Sequence, residues 1–424
     1  MRRAHPVIME RTTDERVSVN TVLALTAWAA AAVVYVVARA QDTEFAMFWV
    51  FGLAFGFVLQ RARFCFASAF RDIFLLGHAR NMKGLLLGLA VGSVGFALVM
   101  SRQVPLTGLG IYPPSANVLP LGIHTGLGGL LFGVGMVLAG GCVSGSIYRM
   151  GEGYVASWVA FAGVMGGLLV SAYTWNWWWK AHIATAPRMW LPHWLGHPGA
   201  LVVTLLGLAA VYVWVVSIEH RAGVVVPPVS GGRPQASSQP TANTQTESVA
   251  DDLRSTLRQL FVQGWPVLPA GAVLGGLNVL LFTAREPWGF TGEVSRWSIA
   301  MASIVDVAPG PLAGVESLPG CVLVPSDGLF FNHMLFLVFG MFFGSFAAAL
   351  GAGEFKVRLP RRPVRYAQSL GGGVIMGYGA GIGMGCTIGA FFSAIPSLAV
   401  NGWVFGAFLA VGAWIGTHII QRIE

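Results

Sequence analysis

Charge is scarce in this sequence. Asp, Glu, Lys and Arg make up 10% of 424 residues, against about 25% in an ordinary soluble domain. That scarcity excludes a water-soluble fold, whatever domain count the length alone would allow. Recognisable chemistry motifs are missing too. The four cysteines, Cys65, Cys142, Cys321 and Cys386, include no C-x-x-C pair, and none has a histidine close by in sequence. The usual zinc spacings are therefore excluded, and no metal site is expected. There is no G-x-x-x-x-G-K-[ST] loop and no G-x-G-x-x-G in a strand–helix setting, so nucleotide hydrolysis and dinucleotide binding are not expected. No acid pair suggests hydrolysis. The reading is of a protein that is not an enzyme and has no cofactor.

Apolar residues and glycine are abundant. The sequence is 55% hydrophobic with 56 glycines. Charge-free runs reach the roughly 20 residues that cross a bilayer: Thr21–Ala38, Gly84–Ser101, Ile123–Tyr148, Tyr154–Trp179, His197–Ile218, Gln263–Ala284 and Gly328–Gly353. Tyr366–Gln421 has room for two spans, and Ala46–Gln60 is marginal. Buried backbone polar groups leave helices as the solution for runs of this length. The fold expected is an all-α polytopic membrane protein with about nine or ten transmembrane helices. The first run is too long for a cleaved signal and is read as a span.

Lys and Arg set the orientation. With the N-terminus inside, only Arg39, Arg102, Lys180, Arg188, Arg285 and Arg296 of the 26 fall outside. Both termini are therefore expected in the cytoplasm, with the protein in the inner (plasma) membrane. The net charge of +8 reflects this bias and contact with anionic lipid, and nothing in it points to nucleic acid. Trp175, Trp177, Trp178, Trp179, Trp190 and Trp194 cluster between two runs and read as an interfacial belt on the outer surface.

Residues 223–250 are rich in Pro, Ser and Thr and lack aromatics, the composition of a disordered linker. The domains expected are a first transmembrane half, 1–218, a cytoplasmic linker, 219–258, and a second half, 259–424. The halves repeat. GLLFGVGMVLAGGCVSG at Gly129–Gly145 aligns without gaps to GVIMGYGAGIGMGCTIG at Gly373–Gly389. The first copy ends the fourth span and the second ends the ninth. An odd separation means opposite directions, an inverted-topology repeat. Short re-entrant or broken helices then bring the two segments toward the midplane, setting Cys142 and Cys386 beside one another. Gly141, Gly145, Gly385 and Gly389 frame the two thiols and suit a sharp break. Broken-helix N-termini present free N–H groups, a natural anion site.

Cys65 lies in RARFCFASAFRD, flanked by Arg61, Arg63 and Arg71. In the second half Arg285 and Glu286 stand where Arg61–Cys65 stands in the first. These four arginines are candidates for attracting an anion, with positive-inside anchoring the competing role. Cys321 sits in a Pro/Gly-rich outer loop and is read as functionally silent. Thiols are polarisable weak donors, so a path lined by them suits a sulfur-bearing anion. Several weak sites in series permit release. Two other readings stand beside this one. One is transport of another small solute, including a selenium compound. The other is a membrane thiol-redox or sulfurtransferase protein using Cys142 and Cys386.

The R-x-R-F-C segment and the paired G-G-C-x-x-G and G-M-G-C-x-x-G segments resemble the YeeE/YedE family of sulfur transporters, most strongly at about 50–160 and 370–405. The resemblance implies an hourglass-shaped permease for thiosulfate. Its path cysteines would be Cys65, Cys142 and Cys386, passing the anion by transient S–H···S hydrogen bonds. It also implies partnership with a small cytoplasmic TusA-like sulfur-carrier protein.

Overall fold

The computed structural model describes residues 7–222, 261, 263–318, 323 and 331–423. Cys321 and most of the expected linker lie outside them. The described residues form helices joined by turns and longer loops, with no strand beyond isolated bridges. In order the helices are α1 (Val7–Gln41), α2 (Thr43–Ala62), α3 (Phe66–Leu76), α4 (Arg80–Gln103), α5 (Ile123–Ala139), α6 (Val143–Gly151), α7 (Val155–Trp178), α8 (Pro192–Arg221), α9 (Val267–Ala284), α10 (Thr291–Ile304), α11 (His333–Gly351), α12 (Val364–Ile382) and α13 (Val400–Ile423). Nine helical segments among the described residues are long and apolar enough to cross a membrane. A tenth is added if α12 and the π-helical turn Thr387–Ser393, bent by 48°, count as one span. The protein is thus polytopic, as its charge scarcity requires. Helix α8 runs to Arg221, slightly past the boundary expected at 218. The stretch after α9 is partly helical, since α10 occupies Thr291–Ile304.

The inverted repeat is visible in what each end of the two broken segments touches. The α5–α6 segment starts beside Arg188, which bridges to Pro120. It ends where Gly153 O accepts from Arg358 N, just ahead of α12, at 2.8 Å. The α12–π segment starts at that second place and ends where Leu398 O accepts from Leu191 N at 3.0 Å, next to Arg188. The two therefore run in opposite directions. Their breaks are equivalent: Gly140 takes φ 78° and its repeat mate Met384 takes φ 56°. Glycine makes the first kink easy, and the second holds a side chain in a region L-residues rarely visit.

The main helix packings join one half to the other: α2 with α11, α4 with α9, α5 with α12 and α13, and α7 with α12. Lipid tails are as apolar as leucine, so these contacts depend on close van der Waals approach. Glycine provides it. A Cβ at Gly56 would collide with the Met341 carbonyl, and one at Gly344 with that of Leu53. Gly88 and Gly271, on α4 and α9, likewise meet backbone to backbone. The Gly377–Gly383 stretch packs the same way, Gly377 on α7 and Gly379 on α5.

The tryptophans only partly form a belt. Trp175, Trp178 and Trp190 are buried, their indole N–H groups donating to Ala313 O, the Tyr378 hydroxyl and Ser397 O. Helix α12 supplies the Tyr378 hydroxyl and loops supply the two carbonyls, while Trp177 and Trp194 remain exposed.

Gly56→Ala is expected to lower thermal stability in detergent by about 1–3 kcal/mol or more, the cost of overpacking against backbone that cannot step aside. Gly371→Ala, where a Cβ meets open space, serves as the control. Equal melting of the two variants would refute the close-approach argument.

Candidate functional site

Each described cysteine sits at the N-cap of a short helical piece: Cys65 before α3, Cys142 before α6 and Cys386 before the π-helical turn. All three are buried and free. The Gly145 N–H donates to Cys142 Sγ at 3.3 Å, and Ser144 Oγ lies 3.2 Å from the same sulfur. Cys386 takes the equivalent N-cap position, near the backbone N–H groups of Ile388 and Gly389 but without a cap hydrogen bond. Sulfur thus meets the positive end of a helix in both repeats, where negative charge is stabilised.

The thiols pair within halves rather than between them. Cys142 lies against Cys65. Gly145 leaves the space open: a Cβ there would stand 3.3 Å from Cys142 Sγ and 3.5 Å from Cys65 Sγ. Cys386 lies against the hydroxyl of Thr291, the first residue of α10. Chain geometry explains this. After α9 the backbone turns back inward, held by Trp288 N–H donating to Asn278 Oδ1 at 2.7 Å and Ser393 Oγ donating to Trp288 O at 2.7 Å. That turn delivers Thr291 to Cys386 much as the turn after α2 delivers Cys65 to Cys142. The hydroxyls of Thr291 and Thr387 are buried with no hydrogen-bond partner of good geometry. Unsatisfied buried hydroxyls are costly, and these two flank Cys386 in sequence or space.

A vestibule opens on either side. On the basic face a cavity of about 390 Å³ is lined by Arg63, Tyr148, Arg149, Glu152, Tyr154, Gly353, Glu354, Lys356 and Arg358. On the opposite face one of about 290 Å³ is lined by Arg285, Glu286, Gly289, Phe290, Gly292, Glu293, Arg296, Asn332, His333 and Met334. Four cations against two acids make the first a cationic funnel. Burial holds the Glu152 carboxyl above the usual carboxylate range, with Arg149 opposing that shift and Gln60 Nε2 donating to it at 3.3 Å.

The four candidate arginines divide. Arg61 is 1% exposed and pairs with Glu354 at 2.8 Å, with Gln60 bonded to the same carboxylate. It is a buried structural ion pair, not a free anion receptor. Arg63, 75% exposed, shares Glu354 at 3.0 Å and lines the basic vestibule. Arg71 pairs with Asp72 at 2.8 Å away from both vestibules. Arg285 lines the second vestibule and pairs with Glu44. The glycines act differently from one another. Gly141 faces Arg149 Nη1, with a Cβ there standing 3.6 Å away, and Gly385 takes φ 153° beside Ala390. Sequence reasoning missed Arg149, Thr291 and Glu293. Arg149 follows Cys142 by seven residues, two helical turns on one face, and that spacing was the available signal. Thr291 had none, because its partner lies 95 residues away. Among the described residues no cluster of three His, Cys, Asp or Glu could hold a metal.

A model of the sulphur transport family matches residues 61–415, a stretch carrying all three buried thiols and both breaks. The chain is similar to the thiosulfate transporter TsuA of Escherichia coli (strain K12), 29% identical over 370 residues, 87% of this chain and 92% of that protein. It is 29% identical to the TsuA of Spirochaeta thermophila over 379 residues, 88% and 97% of the two chains. The probable transporter YedE of Escherichia coli (strain K12) is 34% identical over 160 residues, 37% of this chain and 38% of its own. These relatives are named as transporters, not enzymes. The chain belongs to the sulphur transport (YeeE/YedE) family of membrane transporters.

Proposed function

We propose that the protein is an inner-membrane permease taking up thiosulfate or a related sulfur-containing anion along a path through Cys386, Cys142 and Cys65. The observation that carries this is the pair of vestibules on opposite faces, with buried thiols at helix N-termini between them. The names of the TsuA relatives support the substrate class. The basic face, with Lys356 and Arg358 in its vestibule, is the cytoplasmic one by the positive-inside rule, which places both termini inside.

The anion enters at Arg285 and meets Cys386, Thr291 and Thr387. A terminal sulfur is soft and weakly hydrated and accepts from a thiol. The oxygen end of the same anion suits the two unsatisfied hydroxyls and the N–H groups framed by Gly385 and Gly389. The anion then passes to Cys142 and Cys65, framed by Gly141 and Gly145, and leaves toward Arg149 and Arg63. Each step exchanges one weak S–H···S contact for another, with no covalent bond, so no site holds the anion too firmly to release it. A small TusA-like sulfur-carrier protein would receive it at the cationic face. A second reading, thiol-redox chemistry, is favoured by the contact of Cys65 with Cys142; its dithiol would be that pair and not Cys142 with Cys386.

Cys65→Ala, Cys142→Ala and Cys386→Ala are each expected to cut uptake of labelled thiosulfate by about tenfold or more, the ~1.4 kcal/mol of one lost weak donor in a dry path. Cys321→Ala leaves it intact. Wild-type uptake by Cys142→Ala would end the thiol-path reading, and a disulfide that forms and breaks during turnover would support the redox one. Thr291→Val is expected to lose uptake that Thr291→Ser keeps. Equal uptake by the two would remove the hydroxyl from the path.

A further inference from the structure

Uptake of a divalent anion faces an electrical obstacle. A potential of about 100 mV, negative inside, holds a freely permeating dianion roughly three orders of magnitude lower inside than outside. Something must offset that, and the vestibule opposite the basic face contains a group suited to it. Glu293, two residues from Thr291, is 4% exposed yet lines that vestibule. Its carboxylate accepts from Trp297 Nε1 at 2.6 Å and Asn332 Nδ2 at 2.9 Å. Arg296 Nε lies 3.6 Å away, longer than a close ion pair. His333, at the start of α11, faces the same space but is engaged by Glu286 at 2.7 Å. Arg285 is engaged by Glu44 of α2. Helix α7, packed against α10, contributes no charged residue along its length, and the only one on α12, Arg365, stands in its first turn at the basic face.

We propose that Glu293 takes up a proton together with the anion, making the protein a proton–anion symporter. This rests on the transport reading above. The carboxylate binds a proton from water in the outer vestibule as the anion settles at Thr291 and Cys386. Glu293 then passes the proton to the bound anion, which crosses as the singly charged acid and releases the proton to water on the inner side, and Glu293 returns as the carboxylate. The proton cancels part of the anion's charge during the crossing. Burial pushes this carboxyl toward its protonated form, with Arg296 opposing.

The test uses the full-length protein in liposomes with labelled thiosulfate and an internal pH dye. An acid-outside gradient is expected to raise accumulation by wild type at least tenfold, with protons entering as thiosulfate is added. Glu293→Gln should lose the gradient response and the proton entry while still exchanging labelled for unlabelled thiosulfate at a measurable rate. Glu293→Asp should recover part of both. Wild-type accumulation indifferent to the gradient, or a Glu293→Gln variant that still responds to it, overturns the symport. Should Glu293→Gln fail to fold, wild-type proton entry decides alone. Absence of any exchange by wild type overturns the transport reading instead.

Discussion

Backbone-to-backbone contact between helices of opposite halves is the constraint on which the structure depends. In lipid no hydrophobic force pushes helices together, so they must approach until dispersion contacts suffice. Gly56 against Met341, Gly344 against Leu53 and Gly88 against Gly271 do this. Each contact crosses from one repeat to the other. Neither half has a complete set of partners by itself, and the two breaks can face inward only because the halves interlock.

That interlock creates an interior no straight helix could make. Each break leaves backbone N–H groups without intrahelical partners; Cys142 Sγ accepts one of them, and Cys386 holds the equivalent N-cap position. Irregular backbone at that depth survives only where protein or a cavity covers it. The repeat symmetry is not perfect, and the departures are chemical. The pair in the first half is thiol with thiol, and the pair in the second half is thiol with hydroxyl. The basic vestibule is ringed by Arg63, Arg149, Lys356 and Arg358, whereas the opposite one contains the buried acid Glu293. On the proposed route an anion would pass from the mixed thiol–hydroxyl site to the thiol pair and then to the cationic vestibule.

Much of this was legible in the sequence. Charge scarcity and run lengths gave the helices, and the gapless match of Gly129–Gly145 to Gly373–Gly389 gave the inversion and two of the thiols. Tertiary placement was not legible. Arg61 and Arg63 differ by two positions, yet one is a buried partner of Glu354 and the other lines a cavity. Nothing local separates them, because Arg63 leaves the helix at φ 48° and the intervening turn decides which way each points. The pairing of Cys142 with Cys65, and of Cys386 with Thr291, likewise depends on turns after α2 and α9 whose inward course is set by distant groups such as Asn278 and Ser393.

On the proposed function the buried thiols line one path open toward opposite faces. Single-cysteine variants retaining Cys142 or Cys386, treated from one side at a time with a membrane-impermeant maleimide, test it most directly. Cys142 is expected to react from the basic face and Cys386 from the other, and added thiosulfate to slow both reactions. Labelling unaffected by thiosulfate, or both cysteines reacting from the same side alone, would contradict it.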